Sequence, residues 1–162
     1  MNYVEEVIET PSGDTMVRQF VTHPGAVAIV AWDEERDEIV VVRQYRHPVG
    51  MELVEVPAGL LDVEGEAWHD AAARELAEEA QLQAGRWDVL VDMVTTPGGS
   101  QESLRVYLAR DLAPAARPDG FVLEGEELEM RVQRVAREEL VEAVFEGRCQ
   151  SPTLVAGVLA LE

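Results

Sequence analysis

The chain has 162 residues, a length that fits one domain, and its hydrophobic content of 47% is enough to build a core without disulfides. The formal net charge is −19, so the surface repels polyanions, which argues against a long nucleic acid as partner. All 13 basic residues are arginine, which excludes Schiff-base and P-loop lysine chemistry.

The single cysteine, Cys149, cannot form an internal disulfide, and this usage is typical of a reducing compartment. No apolar run approaches the roughly 18 residues that a membrane span requires. The first residues also lack the basic and apolar regions of a signal peptide. We therefore expect a cytoplasmic protein with no membrane partner.

The N-terminal part of the chain predicts strands. Segments 4–9 and 15–22 flank a turn rich in polar residues with one Pro and one Gly, a pattern that indicates a β-hairpin. Segments 26–32 and 38–45 are apolar enough to be buried strands, and 51–56 is a shorter strand.

The rest of the chain mixes helices and strands. A helix is predicted over 67–80, with Ala72, Leu76 and Ala80 facing the core. The remaining predicted elements are strands at 87–94, 103–109 and 128–135, a loop at 110–125, and helices at 137–146 and 151–161. Together they predict a mixed sheet between helices, in a single domain spanning 1–162.

A cluster of carboxylates lies on one face of the helix predicted over 67–80. Glu75, Glu78 and Glu79 are three and four residues apart, and Glu66 in the preceding loop can reach the same face. Like charges at these spacings destabilise a helix by about 0.2–0.5 kcal/mol per pair, so the cluster favours a bound cation. Mg²⁺ takes carboxylate oxygens and substrate phosphates together, and we expect it as cofactor, with Mn²⁺ as a substitute. A solvated acidic helix is the alternative.

The segment 59–82 resembles the Nudix box, the signature of the Nudix hydrolases. That pattern is Gly, five residues, Glu, seven residues, then Arg-Glu, a hydrophobic residue, any residue, Glu-Glu, any residue, Gly and a hydrophobic residue. The matching positions are Glu66, Arg74, Glu75, Leu76, Glu78, Glu79 and Leu82. Gly59 lies one residue too far upstream, and Gln81 replaces the late glycine, which adopts positive φ freely after a helix.

The resemblance implies an α/β fold, a Nudix-type α/β/α sandwich with a mixed β-sheet and an N-terminal β-hairpin. It also implies an enzyme that hydrolyses the diphosphate of a small nucleotide, with water as the nucleophile. In such a site Glu75 and Glu79 are the best metal ligands, Glu78 is the next candidate and also an alternative catalytic base, and Glu66 is an accessory group.

Two further residues take roles from the same resemblance. Arg74 is expected to support catalysis by orienting the carboxylates through charge-assisted hydrogen bonds. The carbonyl oxygen of Ala58 matches a main-chain metal ligand of the family.

Three features outside the box resemble ADP-ribose pyrophosphatases. They are the turn 55–59, the proline Pro97 and the triplet 44–46. In those enzymes the arginine of the triplet meets the substrate phosphates, so Arg46 takes that role here, and Gly59 is expected on the substrate side of the turn.

Two loops carry the remaining candidates. In the Gly-rich loop 95–102, Ser100 and Glu102 are candidates for binding ribose hydroxyl groups, although a plain connecting loop explains them nearly as well. In the acidic run 124–129, Glu127 aligns with the loop glutamate that acts as catalytic base in ADP-ribose pyrophosphatases. A solvated acidic surface is the alternative there.

Related enzymes form homodimers through their N-terminal strands, and the predicted hairpin is consistent with a homodimer. Hydrolysis of another nucleoside diphosphate substrate, such as a nucleotide sugar or a dinucleoside polyphosphate, remains open because loops choose the base and the second group. A non-catalytic ADP-ribose sensor is the other alternative. The three histidines, His23, His47 and His69, are interpreted as structural or exposed.

Overall fold

An N-terminal hairpin precedes the main sheet in the computed structural model, which describes residues 1–118, 125 and 129–162. Strands β1 (Asn2–Glu9) and β2 (Thr15–Thr22) pair antiparallel along their whole length and form a two-stranded sheet of their own. This confirms the predicted hairpin.

In the part of the chain that the structure describes, the main sheet has seven strands, with the order β5-β4-β3-β8-β7, while β6 pairs with β3 and β9 with β4. The strands are β3 (Ala26–Asp33), β4 (Glu38–Arg46), β5 (Met51–Glu55), β6 (Ala58–Leu60), β7 (Leu82–Val94), β8 (Ser103–Pro114) and β9 (Arg131–Ala136). The pair β3–β8 is parallel and the other pairs are antiparallel, so the sheet is mixed.

Helices cover both faces of this sheet. They are α1 (Trp68–Ala80), α2 (Arg137–Phe145) and α3 (Pro152–Ala160), with a short 3-10 helix at His47–Val49. Alternate residues of β3 point to opposite faces, so Val27 and Ile29 pack in a cluster with α1, while Ala28 and Val30 pack in a cluster with α2 and α3. The predicted α/β/α sandwich is confirmed.

Strands β3 and β4 separate after a short paired stretch, and this opens a cavity in the sheet. They pair only from Ala31↔Val40 to Asp33↔Glu38. Beyond that point β6 takes the place beside β3, with Ala28↔Ala58 as one pair, and β5 and β9 flank β4. The gap leaves the ends of β4 and β6 facing helix α1.

The loop prediction for 110–125 is wrong for its first residues. Strand β8 continues to Pro114, and β7 begins at Leu82, so the two strands pair from Leu82↔Pro114 to Val94↔Ser103. The long hairpin arm carries Gly85 and exposed polar residues such as Gln83, which obscure the strand pattern. Proline is tolerated at the end of such a strand because it need not donate a ladder hydrogen bond.

Helix α1 ends in the left-handed conformation that the family pattern assigns to glycine. Gln81 has φ 54° and ψ 42°, and its N–H donates to the carbonyl oxygens of Ala77 and Leu76. Replacing the glycine of the family pattern by Gln81 therefore leaves the helix end unchanged. Gln81 adopts the left-handed conformation although its Cβ makes that conformation strained.

The helices within the described ranges are too short or too polar to cross a membrane.

Candidate active site

The buried face of α1 carries its apolar and its acidic residues side by side. Ala72 and Leu76 are fully buried against the sheet, whereas Glu78 and Glu79 are each only 9% exposed. Helical spacing of three and four residues places Glu75 beside them, with a side chain that is 12% exposed. The predicted carboxylate face thus lies at the edge of the core, where desolvation makes each charge costly.

Arg74 gathers three of these carboxylates. Its Nε and Nη2 donate to the two oxygens of Glu66, both at 3.0 Å, in a bidentate pair. Its Nη1 donates to Glu75 at 2.7 Å and to Glu78 at 2.9 Å. The predicted orienting contacts of Arg74 are therefore present in the structure.

The turn before β6 lies directly against the carboxylates. The N–H of Ala58 donates to Glu79 Oε2 at 3.1 Å. A Cβ atom built on Gly59 would lie 1.9 Å from Cδ of Glu75, so only glycine leaves room for that carboxyl group. The Ala58-Gly59 pair thus positions Glu75 and Glu79 from the sheet side.

The ionisation of the cluster is shifted by burial. Burial raises the pKa of Glu75 from 4.5 to about 6, although Arg74 acts in the opposite direction. The hydrogen bonds that Arg74 donates to Glu66 raise the pKa of Arg74 above its ordinary range, so the guanidinium stays charged. One guanidinium charge is shared among three carboxylates, which leaves the cluster with excess negative charge.

This donor set fits a hard divalent cation, because oxygen ligands and uncompensated negative charge are what Mg²⁺ requires. Within the described ranges, no three carboxylate, histidine or cysteine side chains converge closely enough to hold an ion as they stand. The contacts with Arg74 explain this, since they draw Glu66, Glu75 and Glu78 onto the guanidinium. An ion would have to compete with Arg74 for these oxygens.

A cavity of about 680 Å³ lies over the carboxylates, between α1, the ends of β4 and β6, and the start of α3. Its polar lining residues are Gln44, Arg46, Glu55, Asp62, Arg74, Glu75, Glu78, Glu79, Thr95, Thr96, Glu102, Ser151 and Thr153. The cavity is large enough for a small nucleotide.

Arg46 lines this cavity, and Glu55 holds it there. Arg46 Nε and Nη2 donate to the two Glu55 oxygens at 3.1 and 2.7 Å. The Arg46 side chain is 41% exposed, while the Glu55 side chain is 8% exposed. Sequence reasoning assigned no role to Glu55, because only the fold brings β5 beside β4.

Glu102 also lines this cavity. Its Oε2 accepts a hydrogen bond from Thr95 Oγ1, and its Oε1 lies 3.4 Å from Nε2 of His23. His23 is 10% exposed and its Nδ1 accepts a hydrogen bond from the Gly25 N–H, which fits the structural role expected for that residue.

The two remaining loop candidates are Ser100 and Glu127. Ser100 lines a separate pocket of about 430 Å³ beside the hairpin, together with Phe20 and Pro97. Its hydroxyl oxygen accepts a hydrogen bond from the Glu102 N–H at 3.1 Å, so it shapes the loop. Glu127 lies outside the described residues, and its assignment as base stays a prediction.

Comparisons with known proteins agree with this architecture. A NUDIX domain family model matches residues 22–146. An ADP-ribose pyrophosphatase of Mycobacterium tuberculosis (strain ATCC 25618 / H37Rv) is 47% identical over 154 residues, which cover 95% of this chain and 72% of that protein. A methanol dehydrogenase activator of Bacillus methanolicus is 39% identical over 114 residues, which cover 70% of this chain and 60% of that protein.

The fold is shared with a solved structure. The crystal structure of an ADP compounds hydrolase aligns with a TM-score of 0.78 at 21% identity and covers 97% of this chain and 82% of that chain. The family match extends over most of the chain and includes the strand, turn and helix that build the carboxylate cluster. The chain therefore belongs to the NUDIX domain family and is a Nudix pyrophosphohydrolase.

Proposed function

We propose that this enzyme hydrolyses the diphosphate linkage of ADP-ribose to AMP and ribose 5-phosphate, with Mg²⁺ as cofactor. The observation that carries the proposal is the buried carboxylate cluster around Arg74, which opens into a cavity shared with Arg46. The relative from Mycobacterium tuberculosis, named an ADP-ribose pyrophosphatase, supports the choice of substrate.

Arg46 is the group that would receive the substrate phosphates. Its bidentate pair with the buried Glu55 fixes the guanidinium plane, and its exposed portion remains accessible to a ligand. Arginine suits a phosphate because its donors match two oxygens at once.

Glu75, Glu79 and the carbonyl oxygen of Ala58 would hold the metal, with Glu78 and Glu66 in supporting positions. When bound, Mg²⁺ polarises the phosphate oxygens and lowers the pKa of a water molecule. The chain itself supplies the geometry: Gly59 leaves space for Glu75, and the Ala58 N–H holds Glu79. Arg74 would keep Glu66 and Glu78 oriented while the ion binds.

The proton of the attacking water requires a base that is not already paired. Glu78 contacts Arg74 at 2.9 Å, so its carboxylate is already held within the cluster. The resemblance of the run 124–129 to the loop glutamate of ADP-ribose pyrophosphatases favours Glu127 as the base, with Glu78 as the alternative.

A homodimer is part of the proposal. On the hairpin, Tyr3 is 68% exposed, Val7 is 74% exposed and Val17 is 54% exposed. Val7 and Val17 are directly paired across the hairpin and Tyr3 lies on the same face, so the three form one exposed apolar patch of the kind that marks an interface, and an isolated hairpin is only marginally stable. Light scattering of the wild type and of Val7→Glu would test whether the hairpin mediates association.

The free Cys149 supports a cytoplasmic location.

The deciding experiment incubates the protein with ADP-ribose and Mg²⁺, with and without EDTA, and identifies products by ³¹P NMR. We expect AMP and ribose 5-phosphate, and no turnover with EDTA. A parallel panel of nucleotide sugars and dinucleoside polyphosphates tests the other substrate classes. If the enzyme turns over a panel member faster than ADP-ribose, that compound becomes the proposed substrate. Tight ADP-ribose binding without hydrolysis would indicate a sensor.

A further inference from the structure

His23 bridges the turn between β2 and β3 and the wall of the cavity. Its side chain is 10% exposed. The N–H of Gly25 donates to His23 Nδ1 at 3.1 Å, so the Nδ1 lone pair is used inside the turn. A neutral imidazole that accepts at Nδ1 carries its hydrogen on Nε2, and Nε2 is the atom that faces Glu102.

The turn that holds His23 has little freedom to move. Gly25 has φ +97°, and a Cβ there would lie 3.1 Å from Cδ1 of Leu61 and 3.2 Å from the carbonyl oxygen of Ser103. Positive φ and this crowding both require glycine at position 25. His23 is therefore anchored to a rigid part of the sheet, directly before the buried strand β3.

Glu102 has acceptor capacity left after its contacts within the protein. Thr95 Oγ1 donates to its Oε2, and His23 Nε2 lies 3.4 Å from its Oε1. Each carboxylate oxygen can accept two hydrogen bonds, so both oxygens keep one position for a ligand. The side chain is 23% exposed and lines the cavity, which places these positions where a ligand can reach them.

We propose that His23 is a positioning residue that orients the Glu102 carboxylate to accept hydrogen bonds from two neighbouring sugar hydroxyl groups. The inference rests on the proposed function, because a ribose diol is the ligand group that two adjacent acceptors fit. Thr95 donates to Oε2 and the Nε2 atom of His23 faces Oε1, so the two contacts restrict how the carboxyl group can rotate. At 3.4 Å the His23 contact is long for a hydrogen bond, and the proposal requires it to shorten when a sugar binds Glu102.

Two substitutions separate this role from a role in the turn alone. In His23→Asn the amide oxygen can take the place of Nδ1 toward Gly25, but no donor reaches Glu102. In His23→Gln the longer amide places an N–H near the former Nε2 position. We expect His23→Asn to raise KM for ADP-ribose about tenfold with kcat nearly unchanged, and His23→Gln to restore KM to within about threefold of the wild type.

The opposite pattern would overturn the proposal. If His23→Asn keeps the wild-type KM while His23→Gln is impaired, the residue acts only on the turn. Equal losses in both variants, accompanied by equal falls in Tm, lead to the same conclusion. In a Glu102→Gln background, adding His23→Asn should change KM no further, since residues that act through one group are not additive. A second rise of about tenfold there would contradict the proposal.

A measurement without substrate keeps this inference distinct from the proposed activity. Histidine ¹⁵N spectra of the full chain should show His23 with its hydrogen on Nε2, and Glu102→Gln should shift the Nε2 resonance. If the wild type fails to cleave ADP-ribose, the proposed function fails, while these spectra still test the contact. A hydrogen on Nδ1, or an Nε2 resonance unmoved by Glu102→Gln, would overturn the role of His23.

Discussion

Gly59 and Glu75 face each other so closely that a Cβ on Gly59 would overlap the Glu75 carboxyl group, at 1.9 Å from Cδ and 2.0 Å from Oε1. The contact joins the short strand β6 to helix α1 at the point where the cavity opens. A glycine here is thus a requirement of the carboxylate position rather than of the turn conformation.

Gly59→Ala should therefore displace Glu75 and lower kcat/KM at least tenfold, a loss of about 1.4 kcal/mol of transition-state stabilisation. The fold should persist, because the carboxyl group is the end of a flexible side chain. Gly85→Ala is the matched control, since it adds the same methyl group on β7, against Cβ of Asp111 at 3.1 Å. Steady-state kinetics and circular dichroism check both variants. Wild-type kinetics for Gly59→Ala would mean that Glu75 need not occupy this position.

Arg74→Lys should lower activity about 10- to 100-fold even though the charge is retained. A lysine ammonium cannot donate two parallel hydrogen bonds to Glu66 and also reach Glu75 and Glu78, as the guanidinium does. Isothermal titration with Mn²⁺ should show weaker metal binding. Arg36→Lys is the control, because its ion pair with Asp33 lies on the surface, with the arginine side chain 67% exposed. Equal activity of both variants would show that charge alone is sufficient at position 74.

The carboxylate helix could be predicted from the sequence because its information is local. Spacings of three and four residues place Glu75, Glu78 and Glu79 on one helical face in any fold. The pair Arg46–Glu55 and the contact His23–Glu102 could not be predicted from the sequence, because each depends on which segments the fold brings together.

The errors in the strand limits have a related cause. The paired arms around Gln83 and Asp111 are exposed and polar, so hydrophobic periodicity does not mark them as strands. Pairing between β7 and β8 alone determines their length. The Ser100 hydroxyl oxygen accepts a hydrogen bond from the Glu102 N–H, a loop contact that the sequence does not indicate, and the role of Ser100 in sugar binding stays a prediction.

Gln81→Gly should stabilise the protein by about 1 kcal/mol, because a residue with a Cβ pays roughly that much to adopt the left-handed conformation. Gln81 has φ 54°, and its side chain is exposed. Gln83→Gly, two residues further on in strand β7, should destabilise by a similar amount, since glycine weakens a strand. Urea unfolding of both variants measures the difference. A destabilised Gln81→Gly would show that the side chain contributes more than the strain costs.

Glu127→Gln should lower kcat by roughly 10²–10⁴-fold with little change in KM, the range expected for loss of a general base. Glu126→Gln and Glu129→Gln are the controls from the same run. If one control loses activity while Glu127→Gln does not, the role belongs to that neighbour. If all three stay active, the base lies on α1, and Glu78→Gln becomes the next variant to measure.

Metal-free stability should depend on pH through Glu75. Burial raises the pKa of this carboxyl group from 4.5 to about 6, so folding favours its protonated form. The stabilisation is fully present below pH 4.5 and is lost as the pH rises through 6, and the shift corresponds to about 2 kcal/mol. Glu75→Gln cannot ionise and should lack this loss.

The measurement is urea unfolding of the wild type and of Glu75→Gln between pH 4.5 and 7.5, with EDTA present. The unfolding free energy of the wild type should fall relative to that of Glu75→Gln across this window. Subtracting one unfolding free energy from the other removes the contribution of the carboxylates that both proteins share. Adding Mg²⁺ at pH 7.5 should restore stability to the wild type more than to Glu75→Gln, because an ion that binds only the folded state shifts the equilibrium toward it. A pH-independent difference between the two proteins would show that folding leaves the pKa of Glu75 unchanged, so that Arg74 offsets burial.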